Sequence, residues 1–404
     1  MLDAQAIIAN AEATVGIADS DIAPRHNLDA LLASLRESFP MSPAGEASAT
    51  AVLQMDTVNR LQTLKWLRDH PEIAEEPVKA PVFLMGLPRS GTTFLQYLFD
   101  RDHRFRLIRT WESMMPSPPA GFAPETVASR RETWIELQKK RPHFDGFDAL
   151  HLYDEDGSDE CHAFLEQSIG AAGLHNLYRV PAFFDYLLDE ADLAETYRIH
   201  RRQLQCLQWR RGPKPWALKY PNHIIAMDAI LEVYPDARFV MTHRDPVQAL
   251  ASIAKMTANL RGMKSAAPVD RTQVGSDMLH FISRHIDRIM DFDAGRHRDR
   301  VVDVDYYALA EDPVGVMQEI HRRLGIDTPE EISRAVAVWF ANNPKNARGG
   351  NSYTLEQYGL VEHDVLARFA AYRRRFDIPR EADGLTAPRP GPICKDVFQG
   401  PAQA

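Results

Sequence analysis

The stretch that decides the fold is Ala80-Pro-Val-Phe-Leu-Met-Gly86, followed by Leu-Pro-Arg89-Ser90-Gly91-Thr92-Thr93 and then Phe94-Leu-Gln-Tyr-Leu-Phe. The first part is a short apolar run ending at glycine, which is typical of a buried β-strand, and the last part has a helical pattern. Two glycines five residues apart between them predict a loop whose backbone N–H groups surround a phosphate at the helix start. We therefore predict that an α/β core begins here and carries an anion site.

Three later apolar runs also predict strands: Pro215-Trp-Ala-Leu-Lys219, Ala237-Arg-Phe-Val-Met-Thr242 and Arg300-Val-Val-Asp-Val-Asp305. A helical pattern follows each run, and this alternation favours a mostly parallel sheet. The helix starts carry their own signals, because acid-proline pairs are typical of an N-cap followed by the first helical residue. These signals are Asp245-Pro246, Asp312-Pro313 and a capping box at Thr328-Pro-Glu-Glu331.

The expected fold class is α/β, with a P-loop-like, mostly parallel sheet flanked by helices. We expect residues 1–78 to form an N-terminal helical layer, because their apolar residues recur at helical spacing. Residues 79–382 form the α/β domain, with helical inserts at about 113–212 and 262–299. Residues 383–404 are rich in proline and glycine and predict an extended tail.

Composition limits the partners. The 404 residues include 47 Lys and Arg against 56 Asp and Glu, and this net charge of −9 argues against a nucleic-acid partner. No apolar run reaches the roughly 18 residues needed for a membrane span, so we expect a cytoplasmic protein. Its three cysteines are widely spaced and form no metal-binding pattern, so we expect no metal. The oligomeric state stays open, and a homodimer is possible.

The phosphate loop lacks the lysine of nucleoside triphosphatases. Thr92 stands at that lysine's position, and Arg89 supplies a cation within the loop instead. Since the lysine normally holds the β- and γ-phosphates, its absence argues against a triphosphate ligand.

The loop GLPRSGTTFL resembles the 5′-phosphosulfate loop of sulfotransferases that use 3′-phosphoadenosine 5′-phosphosulfate (PAPS). A second segment, ARFVMTHRDPVQALAS at 237–252, resembles that family's 3′-phosphate segment, in which a serine follows the arginine eight residues later. The resemblance is greatest to the bacterial sulfotransferase-3 group, which is related to tyrosylprotein sulfotransferases. It implies that the 5′-phosphosulfate binds Arg89, Ser90, Gly91, Thr92 and Thr93. It also implies that Arg244 and Ser252 bind the 3′-phosphate.

The same resemblance suggests residues around the adenine. Tyr306 matches a family tyrosine that lies against the ring, and Phe94 matches an aromatic that packs on it, although either could be an ordinary core residue. Arg348 and Gly349 loosely resemble the basic, glycine-rich loop that closes over the 3′-phosphate, and a surface turn is an alternative. The implied donor is PAPS and the implied product is adenosine 3′,5′-bisphosphate, with no metal.

The catalytic candidates are Glu112, Lys219, Arg89 and His223. Lys219 ends a predicted strand and matches the family lysine that stabilises the leaving phosphate. Cytosolic members carry a catalytic histidine two residues later, where this chain has Pro221, so His223 is a weaker candidate. We expect Glu112 to be the base that takes the acceptor's proton, because relatives with the same loop have a glutamate at a similar distance.

Two alternatives remain open from the sequence: a P-loop kinase or NTPase, and a nucleotide-binding protein without catalytic activity. The acceptor is expected to be a hydroxyl of a small molecule, glycan, lipid or peptide. Nothing in the sequence selects among these classes.

Overall fold

A computed structural model describes residues 2–139, 157–343 and 354–381 of the chain. Its core is a parallel sheet of four strands in the order β2-β1-β3-β4. The strands are β1 (Val82–Gly86), β2 (Ala217–Lys219), β3 (Arg238–His243) and β4 (Val301–Asp305). The predicted α/β class is confirmed, and each strand lies within two residues of its predicted position.

The register of the sheet aligns the carboxyl ends of its strands. Gly86 of β1 lies opposite Thr242 of β3, and Leu84 lies opposite Lys219 at the end of β2. His243 of β3 pairs with Asp305 of β4. Ligands of open α/β sheets bind beyond this edge, so the loops after the four strands define the place to look for a site.

Three helices precede the sheet: α1 (Ala4–Val15), α2 (Ala23–Ser38) and α3 (Pro43–Asp69). Leucines of α2 are buried in the main hydrophobic cluster, which also contains Phe183 and Phe184 from the segment between β1 and β2. The N-terminal helices are therefore packed into the same core as the rest of the described chain.

The remaining helices flank the sheet or belong to its inserts. Helix α4 (Thr92–Phe99) directly follows the phosphate loop. Between α4 and β2 lie α5 (Thr110–Met114), α6 (Val127–Lys139), α7 (His162–Gln167), α8 (Leu174–Leu177), α9 (Pro181–Asp189) and α10 (Leu193–Gln208). After β2 come α11 (Met227–Val233), α12 (Pro246–Gly262), α13 (Arg271–Asp293), α14 (Tyr306–Glu311), α15 (Pro313–Leu324), α16 (Glu330–Asn342), α17 (Glu362–Arg368) and α18 (Ala370–Arg375).

Most predicted helix starts are correct, and one is wrong. Asp245 and Asp312 each accept a backbone N–H at the start of a helix whose first residue is proline. The predicted capping box at Thr328 does not form, because Pro329 precedes α16 and the Thr328 hydroxyl lies 2.9 Å from Nδ1 of His321. The Thr328 hydroxyl therefore contacts a buried histidine instead of capping the helix as the local sequence pattern predicted.

A buried ion network ties α3 to the segment between α1 and α2. Arg60 of α3 donates to both oxygens of Asp19, at 2.8 and 2.6 Å, and to Asp21 at 3.0 Å. Its side chain is only 3% exposed. Burial opposes the ionisation of Asp19, but the hydrogen bonds and charge of Arg60 outweigh it and lower the pKa of this carboxyl.

We expect Arg60→Leu to lower the free energy of unfolding by about 3–5 kcal/mol, because it removes the buried cation that Asp19 and Asp21 share and leaves them only the more exposed Arg25 and Arg202. Urea unfolding measures this loss. Since the pKa of Asp19 is lowered in the folded state, the difference from the wild type should shrink as the pH falls below about 4. Lys65→Ala, which breaks an exposed pair with Asp69, is the control and should cost at most about 1 kcal/mol.

Candidate active site

The loop between β1 and α4 is held tightly against β3. Gly86 has φ of 156°, and a Cβ atom there would lie 2.2 Å from Oγ1 of Thr242. The hydroxyls of Ser90 and Thr242 share a hydrogen bond of 2.7 Å. The loop therefore requires a glycine at its first position, and its path is fixed by a threonine that the sequence did not single out.

The end of the loop contacts an aromatic ring from beyond β4. Gly91 has φ of 92°, and a Cβ atom there would lie 2.7 Å from the ring of Tyr306, the first residue of α14. Arg89 also adopts a positive φ, of 72°, which is uncommon outside glycine. This loop thus brings its backbone to the predicted adenine-binding tyrosine.

Arg89, Ser252 and Arg244 meet beside this loop. The guanidinium of Arg89 donates from Nε to Oγ of Ser252 at 3.0 Å, and Ser252 is buried in α12. Arg244 follows β3 and donates from Nη1 to the Arg89 carbonyl at 2.8 Å. Its guanidinium carbon lies 4.5 Å from the centre of the Tyr306 ring. Two segments more than 150 residues apart in sequence therefore form one cationic corner.

Lys219 lies on the other side of the loop, where β2 ends. Its ammonium donates to Oγ1 of Thr93 at 3.0 Å and also contacts the carboxylate of Glu160. The side chain is 1% exposed, so its charge depends on these partners rather than on water. The amide of Cys161 donates to the Lys219 carbonyl at 2.8 Å, which holds the Glu160 segment against the strand end.

Glu160 is a site residue that the sequence reasoning missed. In the sequence it follows another acidic residue, Asp159, as it would in an ordinary solvated loop. No local pattern distinguishes Glu160 from its neighbours, and only the tertiary contact with Lys219 identifies it.

The structure places Glu112 differently from the prediction. Its buried carboxylate accepts from Arg106 and Arg211, and from the backbone N–H of Arg109 at 3.1 Å. Within the described ranges it has no hydrogen bond or ion pair with Lys219 or the phosphate loop. Burial lowers the pKa of Arg106 to about 10, although Glu112 counteracts this effect. Glu112 thus stabilises the start of α5 and a buried arginine, and we do not retain it as the base.

His223 lies in the hydrophobic core behind the end of β2. It is fully buried, its Nδ1 lies 2.6 Å from the Tyr197 hydroxyl, and its ring packs edge-on against Phe83. Burial, with smaller effects from His200 and Lys219, lowers the pKa of His223 well below its usual value. Within the described residues the imidazole has no hydrogen bond to Lys219 or to the phosphate loop, so its geometry lends no support to the predicted catalytic role.

Phe94, the predicted adenine-contacting aromatic of the loop, has two aromatic neighbours. Its half-buried ring lies 5.5 Å from Trp339 and 6.0 Å from Phe340, both on α16. Phe94 thus belongs to an aromatic cluster next to the phosphate loop. The predicted Arg348 and Gly349 lie outside the described residues.

Two further properties concern only the part of the chain that the structure describes. No helix there is long and apolar enough to cross a lipid bilayer. No cluster of three or more histidine, cysteine or acidic side chains there could hold a metal ion.

The structure is an α/β fold in which Arg89 and Arg244 lie together at the carboxyl edge of the sheet. A sequence model of the sulfotransferase family matches residues 81–330, which is more than half of the chain, and the chain belongs to that family. It is therefore a sulfotransferase, which decides against the kinase or NTPase and the non-catalytic alternatives. The predicted resemblance to bacterial sulfotransferases is confirmed.

Mycobacterial sulfotransferases are similar over most of the chain. Sulfotransferase STF9 from Mycobacterium avium superposes with a TM-score of 0.86 and 27% identity, covering 94% of this chain and 98% of its own. Sulfotransferase STF1 from Mycobacterium tuberculosis H37Rv superposes with a TM-score of 0.80 and 28% identity. The match covers 92% of this chain and 99% of STF1. Omega-hydroxy-beta-dihydromenaquinone-9 sulfotransferase Stf3 of Mycobacterium bovis is 26% identical over 307 residues, covering 72% of this chain and 74% of that protein.

We expect Gly91→Ala to destabilise the protein more than Gly212→Ala does. Both glycines have a positive φ, so alanine costs about 1–2 kcal/mol of backbone energy at either position. Gly212 has open space around its Cβ position, whereas alanine at 91 must also displace the Tyr306 ring. Urea unfolding compares the two variants, and equal losses would contradict the tight contact between loop and ring.

Proposed function

We propose that this sulfotransferase takes its sulfuryl group from PAPS and transfers it to an acceptor hydroxyl, releasing adenosine 3′,5′-bisphosphate. The observation that carries the proposal is the convergence of Arg89, Ser252 and Arg244 beside the loop. PAPS carries anionic groups on both its 5′ and 3′ positions, so it needs two anion sites a nucleoside apart. A loop at a helix start and a forked arginine after the neighbouring strand are the kinds of group that bind such anions.

The assignments follow from this placement. Residues 89–93 would hold the 5′-phosphosulfate, and Arg244 and Ser252 the 3′-phosphate. Tyr306 and Phe94 would contact the adenine, and the Trp339 cluster supports Phe94 in that role. Arg348 and Gly349 remain predicted contacts to the 3′-phosphate.

The proposed transfer needs no covalent intermediate with the protein. In an in-line transfer the acceptor oxygen forms a bond to sulfur while the bond from sulfur to the 5′-phosphate oxygen breaks. Lys219 would compensate the negative charge that develops on the leaving oxygen, because its buried ammonium lies at the start of α4 beside Thr93. Arg89 adds a second cation from within the loop.

Glu160 replaces Glu112 as our candidate for the base. It would take the proton from the acceptor hydroxyl, since its carboxylate already lies at Lys219 and therefore at the proposed reaction centre.

The acceptor class remains a hydroxyl of a small molecule, glycan, lipid or peptide. The name of Stf3 describes an acceptor with a hydroxyl on a long isoprenoid chain. At 26% identity this likeness justifies including long-chain alcohols in an acceptor panel rather than choosing them alone. A homodimer likewise remains a prediction.

We expect calorimetric titration to show that adenosine 3′,5′-bisphosphate binds more tightly than ADP or ATP. Arg244→Ala should weaken this binding by roughly 30-fold or more, because a charge-assisted, two-pronged contact to phosphate is lost. Arg198→Ala removes the same charge from an exposed position on α10 and should change little. Binding of ATP that is equal or tighter, and indifferent to Arg244, would overturn the donor assignment.

Glu160→Gln should lower the transfer rate, whereas Glu112→Gln should lower the stability of the protein. Loss of a general base predicts about 10²–10⁴-fold slower transfer of radiolabelled sulfate from PAPS to an accepted hydroxyl compound in Glu160→Gln, with bisphosphate binding retained. Glu112→Gln should instead lower the free energy of unfolding by about 1–3 kcal/mol, because buried Arg106 loses a charged partner. Fast transfer by Glu160→Gln and slow transfer by a stable Glu112→Gln would restore the original assignment.

A further inference from the structure

The chain returns to the cationic corner after α18. There Glu381 forms a two-pronged ion pair with Arg244, with Oε1 at 3.0 Å from Nη2 and Oε2 at 3.1 Å from Nε. The Tyr307 hydroxyl donates to the same carboxylate at 3.3 Å. One carboxylate is thus surrounded by three donors, two from Arg244 after β3 and one from Tyr307 at the start of α14.

This carboxylate has the geometry that an incoming phosphate would need. Two parallel N–H bonds from a guanidinium fork are the usual way in which arginine binds either anion. The third nitrogen of the fork, Nη1, already donates to the Arg89 carbonyl. A phosphate that binds Arg244 through Nε and Nη2 must therefore displace the Glu381 carboxylate, which accepts from both of these nitrogens.

We propose that Glu381 is a built-in competitor for the 3′-phosphate site, so that the donor or product nucleotide binds only as this carboxylate leaves Arg244. The inference rests on the proposed function, because it takes Arg244 as the 3′-phosphate ligand. The ion pair stabilises the unliganded protein, and its loss is subtracted from the affinity for any 3′-phosphorylated nucleotide. The same competition favours release of adenosine 3′,5′-bisphosphate after transfer.

The movement that the competition requires is confined to one side chain. The backbone N–H of Glu381 donates to Oδ2 of Asp245 at 2.8 Å, which fixes the main chain. Further back, the Phe376 ring stacks on His243 with centroids 4.0 Å apart, and Ile378 is buried. The Glu381 side chain is 25% exposed, so rotation about its own bonds can carry the carboxylate to solvent while the segment stays docked.

The test is calorimetric titration of wild type, Glu381→Gln and Glu362→Gln with adenosine 3′,5′-bisphosphate and with adenosine 5′-monophosphate. Glutamine keeps the size and hydrogen-bonding oxygen of Glu381 but removes its charge. We expect the bisphosphate to bind about tenfold tighter to Glu381→Gln, and the monophosphate to bind unchanged because it lacks the 3′-phosphate. Glu362→Gln neutralises a neighbouring partly exposed carboxylate, paired with Arg380, and should change neither affinity.

A thermal readout separates competition from simple bracing of Arg244. Competition predicts that Glu381→Gln lowers the Tm of the unliganded protein but not that of the bisphosphate-saturated protein, in which the pair is already broken. If Glu381 only holds Arg244 in position, Glu381→Gln would lower the Tm of the unliganded and of the saturated protein. The affinity for the bisphosphate would then stay equal or fall. The results expected for a brace would overturn the proposal about Glu381 but leave the proposed function standing. If the wild-type protein bound the bisphosphate and the monophosphate equally well, both the proposal and the proposed function would be overturned.

Discussion

The pairing of β1 with β3 is the constraint on which the rest of the site depends. It sets Gly86 opposite Thr242, so closely that only a glycine fits at the first position of the loop. The loop then turns beside β3, where Ser90 shares a hydrogen bond with Thr242 and Arg244 reaches the Arg89 carbonyl. A shift of one residue in this register would separate the loop from the arginine and abolish the common anion site.

Much of this arrangement could be predicted from the sequence, because its signals are local. Each strand is a short apolar run, and the loop follows from glycine spacing between a strand and a helix. Arg244 and Ser252 lie eight residues apart, on one strand end and the helix after it, so their proximity is largely a matter of secondary structure. Parallel pairing then brings the two segments together.

The errors concern residues whose partners come from distant segments. Glu112 and Glu160 are both glutamates near aromatic or acidic neighbours, and their sequence contexts do not reveal which one meets Lys219. The choice depends on the path of the insert between α4 and β2, which places Arg106 and Arg211 at one carboxylate and Lys219 at the other. The surroundings of His223 likewise depend on its tertiary position, since a short 3₁₀-helix after β2 turns it into the core.

The two buried cations of the candidate site each need a counter-charge. Lys219 and Arg244 are largely or fully buried cations, and a buried cation without a counter-charge is strongly destabilising. In the protein without donor, Glu160 and Glu381 supply those counter-charges. The carboxyl edge of the sheet therefore carries internal ion pairs rather than bare cations, and each of these two buried cations has its counter-charge within the chain.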